Sequence, residues 1–245
     1  MYFGLLLHAL FASVSLGQGP KASNELGKRE GNRWTIPWTQ DGDMRIPRVY
    51  ASLRSARFQL DASTSINVQP EVDFWILKSA GKHTGDFAVL EFDTPPLLQS
   101  EVKPVEPEGD GTFTLRCSQG ETKGEKLRFE PQPFKNTIGY WTNASDYVVW
   151  SIQLEKATQW NVGIMQGCGP RGGGKARVSL LKQGAVLDFI EFSAEPTGHF
   201  QNFVWRHLGT LKANETGELQ VRIEAIQIAD IALMDVRQLH LSPTR

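Results

Sequence analysis

Aromatic residues placed in turn-rich segments beside amides and carboxylates are the residues of this chain most able to do binding chemistry. Tyr140 and Trp141 follow Gly139 and lead into Thr142–Ser145, with Asn143 three residues after Tyr140. Phe200 follows Thr197-Gly198-His199, with Asn202 two residues on, and Trp205 stands just beyond. Asp235 opens a later apolar stretch. An exposed ring offers a flat apolar face, and amide or carboxyl groups fix hydroxyls around it, so such a set suits a polyhydroxylated ring with apolar C–H faces. Each aromatic also has a plainer reading, as packing at the edge of a β structure. Asp146 is open between hydroxyl binding and capping the turn before the next strand, with the turn preferred.

Catalytic patterns are weaker. Cys168-Gly169-Pro170-Arg171 misses the sulfatase nucleophile pattern C-x-P-x-R by one residue, and the Gly167–Gly174 run has neither the lysine nor the following helix of a phosphate cradle. His8, His83, His199, His207 and His240 show no metal spacing. No serine sits in a G-x-S-x-G elbow. Acids are numerous, but no pair stands in a context that marks it for glycoside chemistry. No catalytic residue and no metal ligand is expected. Asn143-Ala-Ser145 and Asn214-Glu-Thr216 match the N-glycosylation pattern.

The elements that must hold these residues are strands. Asp146–Leu154 alternates with Val148, Trp150, Ile152 and Leu154 on one face, and Trp160, Val162 and Ile164 repeat the pattern. Thr112–Cys117, Arg177–Leu181, Val186–Phe192, Asn202–Leu211, Glu218–Ala225 and Ile231–Leu241 continue it. Period-two alternation marks half-buried strands. The regular spacing with Gly/Asn punctuation predicts an all-β fold, a jelly-roll β-sandwich over 111–243. Trp150 and Trp160 fall on core faces.

The rest is less regular. Phe3–Leu16 is apolar, too short for a spanning helix of about 20 residues, and is followed by small residues. It reads as a signal peptide over 1–17, although no Lys or Arg precedes it. Residues 18–33 read as a linker. Residues 34–99 form a poorly defined N-terminal extension, either a small β unit or partly disordered. Residues 100–110, rich in Pro and Glu, read as a second linker. With 26 Lys+Arg against 27 Asp+Glu the chain offers no basic footprint for nucleic acid. With that signal peptide, and with no later stretch able to span a bilayer, a secreted or periplasmic location is expected. Cys117 and Cys168 are either a bridge closing a long loop or two buried thiols.

Asn136-Thr-Ile-Gly-Tyr140-Trp141-Thr-Asn143-Ala-Ser-Asp146-Tyr147-Val-Val-Trp150 resembles the early strands of family-6 and family-35 carbohydrate-binding modules. Ala157–Gly167, Thr197–Phe203, Gly217–Ile223 and Ile231–Pro243 resemble later elements of the same family, in the same order. Leu127-Arg-Phe-Glu-Pro131 and Gln166-Gly-Cys-Gly169 are similar to modules appended to secreted bacterial sulfatases and glycoside hydrolases. The resemblance implies a galactose-binding-like jelly roll. It implies a loop-borne cleft with one wall at Tyr140 or Trp141 and the other at Phe200, where the family has Trp. Asn143, Asn202 and Asp235 are then the hydroxyl partners. The implied function is non-catalytic docking to a polysaccharide or other glycan, with a polysaccharide-degrading enzyme or sulfatase as a further partner. A structural or protein-binding jelly roll without a glycan site, and a protein named for the enzyme it accompanies, are the alternatives. Calcium is a structural ion of that family. Here Arg116-Cys117-Ser118 occupies the place of its usual Glu ligand; Glu121, Glu125, Asp230 and Asp235 could still supply oxygens to a structural calcium, but solvated surface acids are the plainer reading and no cofactor is expected.

Overall fold

The computed structural model describes residues 26–244, so the expected signal peptide and the first part of the 18–33 segment lie outside the described residues. The described part opens with short strands: β1 (Lys28–Glu30), β2 (Arg33–Pro37), β3 (Met44–Pro47), β4 (Leu53–Phe58), β5 (Asn67–Pro70), β6 (Phe74–Lys78) and β7 (Phe87–Phe92). They pair antiparallel into two small sheets, in the orders β1-β2-β7-β4 and β3-β6-β5. Their inward rows, Trp34/Ile36, Ile46, Val68, Trp75/Leu77 and Ala88/Leu90/Phe92, are all buried. Residues 34–99 are therefore an ordered two-sheet β unit, and β1 lies within the segment read as a linker. The strands are short and the two sheets interleave along the chain, which removes the even spacing by which a sandwich is recognised.

The second part supplies β8 (Phe113–Arg116), β9 (Glu121–Lys123), β10 (Arg128–Glu130), β11 (Thr137–Gly139), β12 (Tyr147–Leu154), β13 (Thr158–Gly167), β14 (Gly174–Lys182), β15 (Ala185–Ala194), β16 (Val204–Ala213), β17 (Gly217–Ile228) and β18 (Asp235–Pro243). One sheet runs β10-β11-β18-β13-β16, with β8 also on β18, and the other runs β15-β14-β17-β12-β9. Every pair within them is antiparallel, and β12 and β17 stay in unbroken register from Tyr147↔Glu224 to Leu154↔Gly217. Alternating apolar side chains from both sheets meet between them: Trp150, Ile152, Trp160, Val162, Val178, Leu180, Val221, Ile223, Leu239 and Leu241 are all at most 1% exposed. This is a two-sheet β-sandwich, the all-β architecture that the alternation predicts.

Three connections differ from the sequence reading. The Pro/Glu-rich stretch 100–110 is not a free linker: Val105 donates to the Ser151 carbonyl and accepts from the Gln153 N–H, lying parallel beside β12 where β9 ends. The two halves share one buried cluster. Trp75 faces Phe129 with ring centroids 6.4 Å apart, and Arg48, 4% exposed, reaches Thr122 and the Gly120 carbonyl. Cys117 and Cys168 are free and buried, so no bridge forms. The Cys117 thiol donates to the Asn136 carbonyl, and burial pushes it up to about 12. Cys168 lies at the Leu233 carbonyl.

Candidate functional site

Antiparallel order brings five loops to one end of the sandwich: 131–136, 140–146, 168–173, 195–203 and 229–234. They enclose a cleft of ≈ 300 Å³ lined by Glu130, Lys135, Tyr140, Thr142, Phe200, Gln201, Ile231, Ala232 and Asp235. The first wall is Tyr140, 47% exposed, held at φ 58 just after β11. A non-glycine residue pays for that backbone conformation, and functional sites are where such strain is found. The Arg128 guanidinium sits 3.5 Å from its ring centroid and props one face. The second wall is Phe200, half-buried. Its ring lies on Gly169 and Gly172, where a Cβ would come within 2.7 and 3.0 Å of it. The glycine-rich run is thus the bed of an aromatic wall as well as a connection.

The floor is polar. Glu130 ends β10, Asp235 begins β18, and Gly139 of β11 lies between them. A Cβ at Gly139 would meet Glu130 Oε2 at 2.9 Å and Asp235 Oδ1 at 3.0 Å, so the absent side chain is what admits both carboxyls. Both are buried, at 4% and 5% exposure. Lys135 pairs with the other Glu130 oxygen, Oε1. Gln201 Nε2 donates to Asp235 Oδ2 at 3.4 Å. Burial first, and the Glu130 charge second, push the Asp235 carboxyl up to about 8.

Of the residues singled out from sequence, Tyr140, Phe200 and Asp235 meet in this cleft. Trp141 does not. It is fully buried, its indole N–H donates to the Asp146 carbonyl, and its own carbonyl accepts from Leu233 N–H. The left-handed backbone at Tyr140, just after β11, breaks the strand alternation, so Tyr140 faces the cleft and Trp141 the core; Trp141 fixes the wall and does not form it. Asn143 lies in the next turn, where its side-chain oxygen accepts from the Ser145 N–H and hydroxyl. Asn202 turns inward on its own loop and donates to the Thr197 carbonyl. Neither amide lines the cleft, because each closes the turn that carries it. The Asp146 carboxylate accepts the N–H groups of Glu125, Lys126 and Leu127, each at 2.9 Å. Trp205 is on β16 rather than a loop, 50% exposed, over Gly163 and edge-on to His240.

Glu130, Lys135, Thr142, Gln201, Ile231 and Ala232 were not singled out from sequence. Gln201 was within reach, since it stands between Phe200 and Asn202. Glu130 carried no signal, because only the β10-β11-β18 pairing brings it opposite Asp235. Among the described residues no group of three or more His, Cys, Asp and Glu is placed to hold a metal ion, and no helix is long and apolar enough to cross a membrane.

Fold and site together define a jelly-roll sandwich with an aromatic-walled, carboxyl-floored cleft at its loop end. No protein-family model matches the chain, and no curated protein matches it. Solved structures similar to it include the C-terminal family-6 carbohydrate-binding module of a Zobellia galactanivorans laminarinase (16% identity, 54% of this chain and 98% of that one, TM-score 0.43). Another is a Podospora anserina β-(1,4)-mannanase carrying a family-35 module (16% identity, 56% of this chain and 28% of that one, TM-score 0.39). A third is the Arthrobacter globiformis T6 isomalto-dextranase complexed with panose (12% identity, 88% of this chain and 35% of that one, TM-score 0.44). The chain thus spans only a minor part of either of these two enzymes.

Proposed function

We propose that this chain is a secreted, non-catalytic carbohydrate-binding module that docks to polysaccharide through the Tyr140–Phe200 cleft. The observation that carries this reading is the pairing of two accessible aromatic walls with a floor of fixed hydrogen-bonding groups, Glu130, Asp235 and Gln201. A pyranose stacks its C–H face on an aromatic ring and turns its hydroxyls to carboxyl and amide groups. Phe200 has no polar handle, so orientation of the sugar falls to the floor and to the Tyr140 hydroxyl. One sugar face in a small cleft supports an affinity in the millimolar to micromolar range, roughly −4 to −8 kcal/mol.

Calorimetry against a glycan panel tests this. Tyr140→Ala and Phe200→Ala are each expected to weaken binding at least about tenfold, roughly 1.4 kcal/mol, with the thermal transition little changed. Binding that survives both changes sinks the cleft. No binding to any glycan favours a structural jelly roll, and release of new reducing ends from a bound glycan overturns the non-catalytic reading.

A further inference from the structure

The floor of the cleft selects by charge. Its cations are already engaged. Lys135 lies on Glu130 Oε1, Arg128 lies on the Tyr140 ring and 3.5 Å from Glu71, and Arg237 donates to the Lys135 carbonyl at 2.7 Å. What faces the cleft floor without a charged partner is Glu130 Oε2 and the Asp235 carboxyl, on either side of Gly139. Resting on the cleft reading above, we propose that the Glu130–Gly139–Asp235 floor grips hydroxyls of an uncharged pyranose and excludes glycans that carry a uronate or sulfate at that place. Glu130 Oε2 accepts a hydroxyl proton, and the Asp235 carboxyl beside it supplies a second hydrogen-bonding group. An anionic substituent there would be desolvated against Glu130, and the cation that lines the cleft, Lys135, already lies on that carboxylate, which is selection by repulsion.

Asp235 adds a pH dependence. Its carboxyl stands at about 8, so it keeps its proton at neutral pH and donates to a sugar oxygen, with Glu130 as the acceptor beside it. The groups acting on it are Glu130 from β10, Lys135 from the following turn, Gln201 from the opposite loop and Arg237 from its own strand. The folded chain retains a proton that the unfolded chain, near 3.8, gives up. Stability therefore falls as pH rises from about 4 to about 8, and Asp235→Asn removes that fall. This readout needs no ligand.

The experiment uses the full chain, neutral manno-, cello- and galacto-oligosaccharides, the matching oligouronates and a sulfated galactan, at pH 6 and pH 9. The wild type is expected to prefer neutral glycans at least about tenfold at pH 6 and to lose about tenfold at pH 9. Asp235→Asn is expected to bind alike at both pH values. Glu130→Gln is expected to narrow the preference against uronates about tenfold. A uronate or sulfated glycan that binds the wild type as tightly as its neutral counterpart overturns the inference, as does an Asp235→Asn variant with the wild-type pH profile in both binding and stability. If Tyr140→Ala abolishes binding while the two carboxyl variants change neither selectivity nor pH dependence, the inference alone fails. If Tyr140→Ala leaves binding intact, or no glycan binds, the cleft reading fails and takes the inference with it.

Discussion

Asp146→Ala is expected to cost roughly 4 kcal/mol and about 10 °C of thermal stability. Asp146 is fully buried, yet its carboxylate accepts three backbone N–H groups from the turn 125–127, and its carbonyl holds the Trp141 indole. Truncation leaves the buried Leu127 N–H and the part-buried Glu125 and Lys126 N–H groups without their acceptor, and unsatisfied buried donors cost about 1–3 kcal/mol each. Gly124 shows how close the fit is: at φ 120, a Cβ there would fall 2.0 Å from Asp146 Oδ1. The damage should reach the cleft, because Tyr140 is held at its unusual backbone angle by Trp141, and Trp141 by Asp146. Asp146→Asn should be intermediate, since the amide oxygen can serve at most one of the two carboxylate positions. Urea denaturation followed by Trp fluorescence measures the loss. An Asp146→Ala variant within about 1 kcal/mol of wild type contradicts the account.

The second large effect concerns the joint between the N-terminal unit and the sandwich. Arg48→Ala should lose roughly 3 kcal/mol and make the joint accessible to protease. The guanidinium donates to the Gly120 carbonyl at 2.5 Å and to Thr122 Oγ1 at 3.2 Å, and lies 4.3 Å from the Tyr50 ring centroid. No carboxylate within salt-bridge distance neutralises it among the described residues, and burial lowers its affinity for the proton. A buried arginine held by carbonyl, hydroxyl and ring faces depends on its planar fork, so Arg48→Lys should not restore the loss. Denaturation that stays a single transition at the wild-type midpoint, with unchanged proteolysis, would show that Arg48 is not the anchor. The same joint argues that the sandwich is not freely detachable. Phe129 and Leu127 are fully buried, and Phe129 packs against Trp75, which the N-terminal unit supplies.

Local alternation was enough for the sandwich. Val148, Trp150, Ile152 and Leu154 occupy every second position, and only a strand buries all four on one side, so β12 and its neighbours were legible without any partner. The N-terminal half was not. Trp34, Ile36 and Trp38 also alternate, but the strands are three to six residues long, their sheets interleave, and part of their core is the sandwich itself. The stretch 100–110 looked like a linker because Pro and Glu dominate it, while the sheet edge it joins is offered by residues more than forty positions away.

The candidate site divides along the same line. Residue type and turn context are local properties, and they were enough to place aromatic loops on strands and to mark Tyr140, Phe200 and Asp235. Tertiary structure decided which aromatic is a wall and which is a prop. Tyr140 and Trp141 are neighbours of similar chemistry, and only the side from which the core approaches tells them apart. It also decided the floor. Glu130 and Asp235 are separated by more than a hundred residues and become a pair because β11 lies between their strands and carries a glycine where any side chain would hold them apart. Neither the pairing nor the burial that raises the Asp235 carboxyl is a property of either residue alone, which is why both were decided only by the folded chain.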